Sequence, residues 1–197
     1  MSLQPENSQL THVAPGAEYS PEERETLLGI AHQSIESALA GSEFSFSVTS
    51  LHLAEPRGVF TTIYVRGDLR GCVGYPLAIA PLYRAVADTA RSAAFEDTRF
   101  WPLTIQEIPE LGISLSVLSP LSPITADEVE VGRHGLLVER HGRRGLLLPQ
   151  VPVEHGWDCT TFLEQTCRKA GLALDAWQHG AKLNAFTAEI FGDRDLR

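Results

Sequence analysis

The chain has 197 residues, 43% of them hydrophobic and 21% charged, which suffices for a real core in one large domain or two small lobes. No apolar run approaches the ~20 residues that span a bilayer, and the polar stretch Met1 to Ser20 lacks the basic-then-apolar pattern of a secretory signal. A formal net charge of −9 argues against duplex binding, whose affinity comes mostly from neutralised phosphates; the ordinary composition, the missing signal and an odd cysteine count predict a soluble, cytoplasmic globular protein.

In chain order, residues 1–19 read as a mobile tail before a domain over 20–193. Ser20, Pro21 and Glu23 form a helix start with a capping box, and Leu27, Ile30, Ala31, Ile35, Ala38 and Leu39 recur at helical spacing up to Gly41. Phe44, Phe46 and Val48 alternate with polar residues, which predicts a half-buried strand. Val59 to Val65 is apolar or β-branched on both faces and predicts a central strand. Gly67-Asp68 is the expected turn into a second strand, Leu69 to Tyr75. A helix follows from Pro81, with Leu82, Ala85, Val86, Ala90, Ala93 and Ala94 as its buried stripe. Glu96 to Pro102 is a loop in which Phe100 and Trp101 are expected to plug the core. Ile113, Leu115 and Val117 predict another strand, and the Pro- and Ser-rich stretch 118–125 a hinge between lobes. A hairpin turns at His141-Gly142, Asp158 caps a last helix, and a final strand runs through Phe186, Ala188 and Ile190. Hairpins separated by helices indicate an α+β fold with an antiparallel sheet. Both hairpins re-enter their second strand with Arg-Gly, at Arg70-Gly71 and Arg144-Gly145.

The turn Leu69-Arg70-Gly71-Cys72-Val73-Gly74 is the most unusual local sequence. Alternation puts Arg70 and Cys72 on one face of a strand, and glycine inside a strand marks a bulge or a close approach of ligand or backbone. A neighbouring guanidinium can stabilise a thiolate or grip a carboxylate, although an unpaired cysteine more often just fills core. The three cysteines, Cys72, Cys159 and Cys167, read as reduced thiols; on one helix the last two would lie roughly 12 Å apart, beyond disulfide reach. His155, Cys159 and Cys167 fit no common zinc spacing, so no metal is expected. No nucleophile elbow, P-loop or dinucleotide fingerprint occurs, and no cofactor is expected. Arg133, His134, Arg140, His141, Arg143 and Arg144 cluster around the second hairpin, which a solvated face explains better than RNA contact.

These segments resemble the AMMECR-one domain family, known in bacteria and archaea as AmmeMemoRadiSam system protein A. The hexapeptide at Leu69 to Gly74 is similar to its hallmark, Asp97-Thr98-Arg99-Phe100-Trp101-Pro102 to its Asp-x-Arg-Phe-x-Pro loop, and Leu146-Leu147-Leu148-Pro149-Gln150-Val151 to its Leu-Leu-Pro-Gln-Val segment. Trp157-Asp158, Phe162-Leu163, Cys167 to Leu172 and Asp175-Ala176-Trp177 resemble its C-terminal block. Val73 stands where isoleucine is usual, and Cys159 where the family often has an acidic residue. The resemblance implies a strongly curved antiparallel sheet, a larger and a smaller lobe, and a cleft beside the hexapeptide. It also implies association with a Memo-like protein and a radical-SAM protein, but it carries no assigned reaction.

The expected site is therefore centred on Cys72 and Arg70, with Gly71, Gly74, Asp97, Arg99, Gln150 and His155 as binding residues. It would bind or transform a small molecule or peptide. A non-catalytic protein-interaction module is the alternative, and RNA binding a distant third. The sequence brings no base to Cys72, although His155 and His134 lie near family segments.

Overall fold

A computed structural model describes residues 17–196 of the chain. Of the expected tail, residues 1–16 lie outside the described residues, but Tyr19 belongs to the domain. It is 1% exposed and its ring stacks on His52 at 4.7 Å, so the folded part begins before Ser20.

The elements are α1 (Pro21–Ala40), β1 (Val59–Val65), β2 (Asp68–Tyr75), α2 (Leu82–Phe95), β3 (Leu111–Leu118), β4 (Ser122–Pro123), β5 (Gly135–Arg140), β6 (Arg143–Leu147), α3 (Gln150–His155), α4 (Cys159–Lys169), β7 (Lys182–Phe186) and β8 (Ala188–Gly192). The class is α+β with antiparallel pairing throughout, divided between two four-stranded sheets in the orders β2-β1-β3-β8 and β4-β7-β5-β6. No helix among the described residues is long and apolar enough to cross a membrane.

Local chemistry accounts for the element ends. The Ser20 hydroxyl accepts from the Glu23 N–H while the Glu23 carboxylate accepts from the Ser20 N–H, and Gly41 closes α1 at φ 65°. The first hairpin turns on Arg66 and Gly67, at φ 57° and 89°, one residue earlier than expected; the second turns on His141 and Gly142, at 49° and 76°. Positive φ at two central residues matches the right-handed twist of the strands they join.

α2 lies on the first sheet through its small-residue stripe. Ala85, Val86, Ala90, Ala93 and Ala94 are buried with Val59 and Ile63 of β1, and the Thr61 and Thr89 hydroxyls meet at 2.8 Å inside the contact. Burying Leu82 and Val86 alone contributes roughly 1.5–3 kcal/mol each. α4 covers the second sheet, with Phe162 and Leu163 packed on Leu136 and Ala185, and Cys167 on Val138.

Two expectations about strands change. Phe44–Val48 forms no strand: the two phenylalanine rings meet at 4.8 Å and Phe46 meets Tyr83 in a T-shaped contact, so packing absorbs the alternation without pairing. The single final strand is two, since Thr187 separates β7 in the second sheet from β8 in the first. The stretch 118–125 carries the chain between the sheets and includes β4, which pairs with β7. There the Ser119 N–H donates to the Thr187 carbonyl and the Thr187 N–H to Ser119 Oγ, both at 2.9 Å, so the two crossings are clasped together.

Candidate functional site

One face of the first sheet is occupied by helices. Thr61 meets Thr89 of α2, and a Cβ on Gly71 would stand 2.0 Å from the Ala93 carbonyl oxygen. Thr61, Ile63, Gly71 and Val73 therefore look towards α2, and the alternate positions look the other way. On that helix-free face the register sets Cys72 opposite Thr62, Thr62 opposite Ser114, and Ser114 opposite Gly192, a polar row across all four strands. The Thr62 hydroxyl donates to the Cys72 sulfur at 3.3 Å. Beside this row, a cavity of about 590 Å³ takes in Tyr64, Ser114 and Gly192.

β2 is an edge strand, and Cys72 turns its backbone N–H and C=O outwards. The loop 97–102 satisfies both. Asp97 Oδ2 accepts from the Cys72 N–H at 2.9 Å, and Arg99 Nη2 donates to the Cys72 carbonyl at 3.2 Å. Arg99 also grips Asp97 through Nε at 2.9 Å and Nη2 at 2.7 Å. The Asp97 side chain is 6% exposed, and the bonds from Arg99, helped by the Cys72 N–H, hold its carboxyl well below the usual carboxylate range. Two side chains thus take the place of a fifth strand and close the edge.

Arg70 does not reach the thiol. The pairing shifts between Ile63 and Tyr64, which leaves Arg70 as the extra residue of a bulge. Its guanidinium donates to Glu107 Oε1 at 2.8 Å, to the Pro102 carbonyl at 3.3 Å and, closely, to the Trp101 carbonyl. Burial would raise the Glu107 carboxyl, but the bonds from Arg70 and Thr104 outweigh it and its pKa falls. Arg70 is thus the far clamp of the same loop. Trp101, expected in the core, is 87% exposed: its backbone is held while its indole projects.

The other expected residues are distributed. Gly71 admits α2. At Gly74 a Cβ would stand 2.3 Å from the Phe60 ring, so the missing side chain lets that ring lie across β2. Gln150 begins α3 and lines a different cavity, about 320 Å³, that includes Ile190 of β8; its side-chain oxygen is buried with no partner among the described residues. His155 ends α3 flat against Trp157, with ring centroids 4.7 Å apart. His134 is engaged through Nδ1, which accepts from the Glu130 N–H at 3.1 Å. Among the described residues Thr62 is the only hydrogen-bond partner of the Cys72 sulfur, and no group of three or more metal-ligating side chains gathers.

Thr62, Ser114 and Tyr64 were not singled out in the sequence. Their only signal is parity with Cys72, and that needs the register. Chemically the row offers a soft sulfur, two hydroxyls and a phenol on a hydrogen-bonded sheet floor. Such a floor suits recognition of polar groups; nucleophilic catalysis also needs a base within hydrogen-bond reach.

The AMMECR1 family model matches residues 28–191, a span that holds β2, the loop 97–102 and α3. Protein MK0488 of Methanopyrus kandleri is 40% identical, with 91% of this chain and 93% of that protein covered. A Thermococcus gammatolerans protein is 47% identical over 73% of this chain and 76% of its own. The crystal structure of the uncharacterised protein PH0010 from Pyrococcus horikoshii, 41% identical, superposes with a TM-score of 0.74 and covers 85% of this chain and 90% of that one. With the hexapeptide, the loop that clamps it and the two-sheet frame all inside one matched span, the chain belongs to the AMMECR1 family.

Proposed function

We propose that the helix-free face of the first sheet is a binding cleft for a small polar molecule or the end of a peptide, with Cys72 as one of its contacts. The single observation that carries this reading is the row Cys72–Thr62–Ser114, three side chains able to exchange hydrogen bonds, beside a cavity of about 590 Å³. A thiol engaged, among the described residues, by a hydroxyl alone, with Arg70 committed to Glu107, supports binding over nucleophilic catalysis. The Memo-like and radical-SAM partners implied by the family resemblance remain part of the proposal, as proteins beside which this cleft would work. The test is an amide-correlation NMR titration with a set of small amides and carboxylates, on the native chain and on Ser114→Trp, whose indole would cover the row. Shifts centred on Thr62, Cys72 and Ser114 that vanish in the variant are expected. Binding confined to other surfaces, or untouched by the indole, would sink the reading.

A further inference from the structure

A third cavity, about 500 Å³, is lined by residues of both sheets and has a different chemistry. In the second sheet Val138 and Gly145 look towards α4; a Cβ on Gly145 would stand 2.3 Å from the Ala170 nitrogen. The alternate positions Leu137, Arg144, Leu146 and Leu148 therefore form its helix-free side. That side and the bare-face residue Phe60, with Leu77 after β2, line the cavity together, and around the edge strand β6 the lining also takes in Lys169 at the end of α4. Leu77, Leu146 and Leu148 are only half-buried, and covering them would remove apolar area from water.

The lining carries two charged side chains, and both are cations. Arg144 pairs with Glu139 at 2.9 Å, whereas Lys169, in the last turn of α4, makes no ion pair among the described residues. In a chain of net charge −9 this is a local basic surplus, and it accounts for part of the cationic cluster noted around the second hairpin.

We propose that this groove binds an amphipathic carboxylate, its apolar body between Phe60, Leu77, Leu146 and Leu148 and its carboxylate at Lys169 and Arg144. The volume falls within the ~300–1,000 Å³ usual for small-molecule sites. The cations select an acid over the corresponding neutral compound, because only the acid gains the attraction of the exposed Lys169 ammonium, while a neutral head leaves that ammonium in water. The proposal stands apart from the Cys72 cleft, and Cys72→Ser leaves this binding unchanged.

Calorimetric titration of the full chain with decanoate, below its micelle concentration, and with decanamide tests it. Saturable decanoate binding at one site per chain is expected, with decanamide weaker. Lys169→Ala, a surface change, weakens decanoate roughly two- to fivefold and leaves decanamide as it was. Leu146→Glu abolishes both, and Leu77→Glu, from the other lobe, does the same should the first variant fold poorly. Three results would each overturn the proposal: no saturable decanoate binding, equal loss of acid and amide in Lys169→Ala, or a dimer in sedimentation that Leu146→Glu dissociates, which would make a second copy the occupant.

Discussion

Asp97 does more to hold the site together than Cys72 does. Its carboxylate accepts from the Cys72 N–H and from Arg99, so the edge strand and the clamping loop share one acceptor. Asp97→Asn should cost about 1–3 kcal/mol of stability at neutral pH in urea unfolding, the usual loss for hydrogen bonds to a charged group. Because the folded carboxyl titrates below its unfolded value, its stabilisation is complete above about pH 4 and fades as pH falls towards the folded value. The gap between native chain and variant should therefore narrow below pH 4; a gap independent of pH would show that the ion pair is not its source. Arg70 belongs to the same clamp. Arg70→Lys removes the planar fork that meets Glu107 and the carbonyls, and amide exchange should quicken across 97–107 while the Cys72 alkylation rate stays the same. A marked fall in that rate would mean that the guanidinium activates the thiol after all.

At the scale of elements, the repeated Arg-Gly has a physical meaning. Gly71 and Gly145 each sit on the second strand of a hairpin at the point where the end of a helix, α2 or α4, presses its backbone onto the sheet. Each lobe is built as hairpin plus covering helix, and glycine is what lets the helix come close. Gly71→Ala and Gly145→Ala should each destabilise by about 1–3 kcal/mol or more, since backbone must move to admit the methyl group. Gly112→Ala, with nothing within 4 Å of its Cβ and an ordinary φ, should be neutral or slightly stabilising in the same thermal melts. If all three behave alike, the close-packing explanation fails. Much of this was legible beforehand: caps, turn glycines and the buried stripe of α2 follow from local chemistry within a few residues. The register was not. Counting back from the Arg66-Gly67 turn without a bulge sets Cys72 opposite Thr61, under α2, whereas the extra residue Arg70 moves it opposite Thr62 on the bare face. The division of the last strand at Thr187 was hidden for the same reason, since only tertiary pairing distinguishes the two sheets. Trp101 misled because its apolar size suggests burial, while what is fixed in the loop is its backbone carbonyl.

Across the whole molecule, two helix-covered sheets are joined by crossings at 118–125 and Thr187, and the clasp between Ser119 and Thr187 ties those crossings to one another. Leu137, Leu146 and Leu148 from the second lobe and Phe60 from the first then line one groove, and two residues along β2 from Gly74 the surface turns polar at Cys72. For this surface to act as a recognition floor, the sulfur in the polar row must be open to incoming molecules. Timed alkylation of the folded chain by iodoacetamide, read by peptide mass, tests that openness. Cys72 should be modified in the native state at no more than the rate of a free small thiol, while Cys167, fully buried and with its pKa raised by that burial, stays unmodified until the chain unfolds. Protection of Cys72 equal to that of Cys167 would contradict the account, because a sealed sulfur cannot belong to a binding floor.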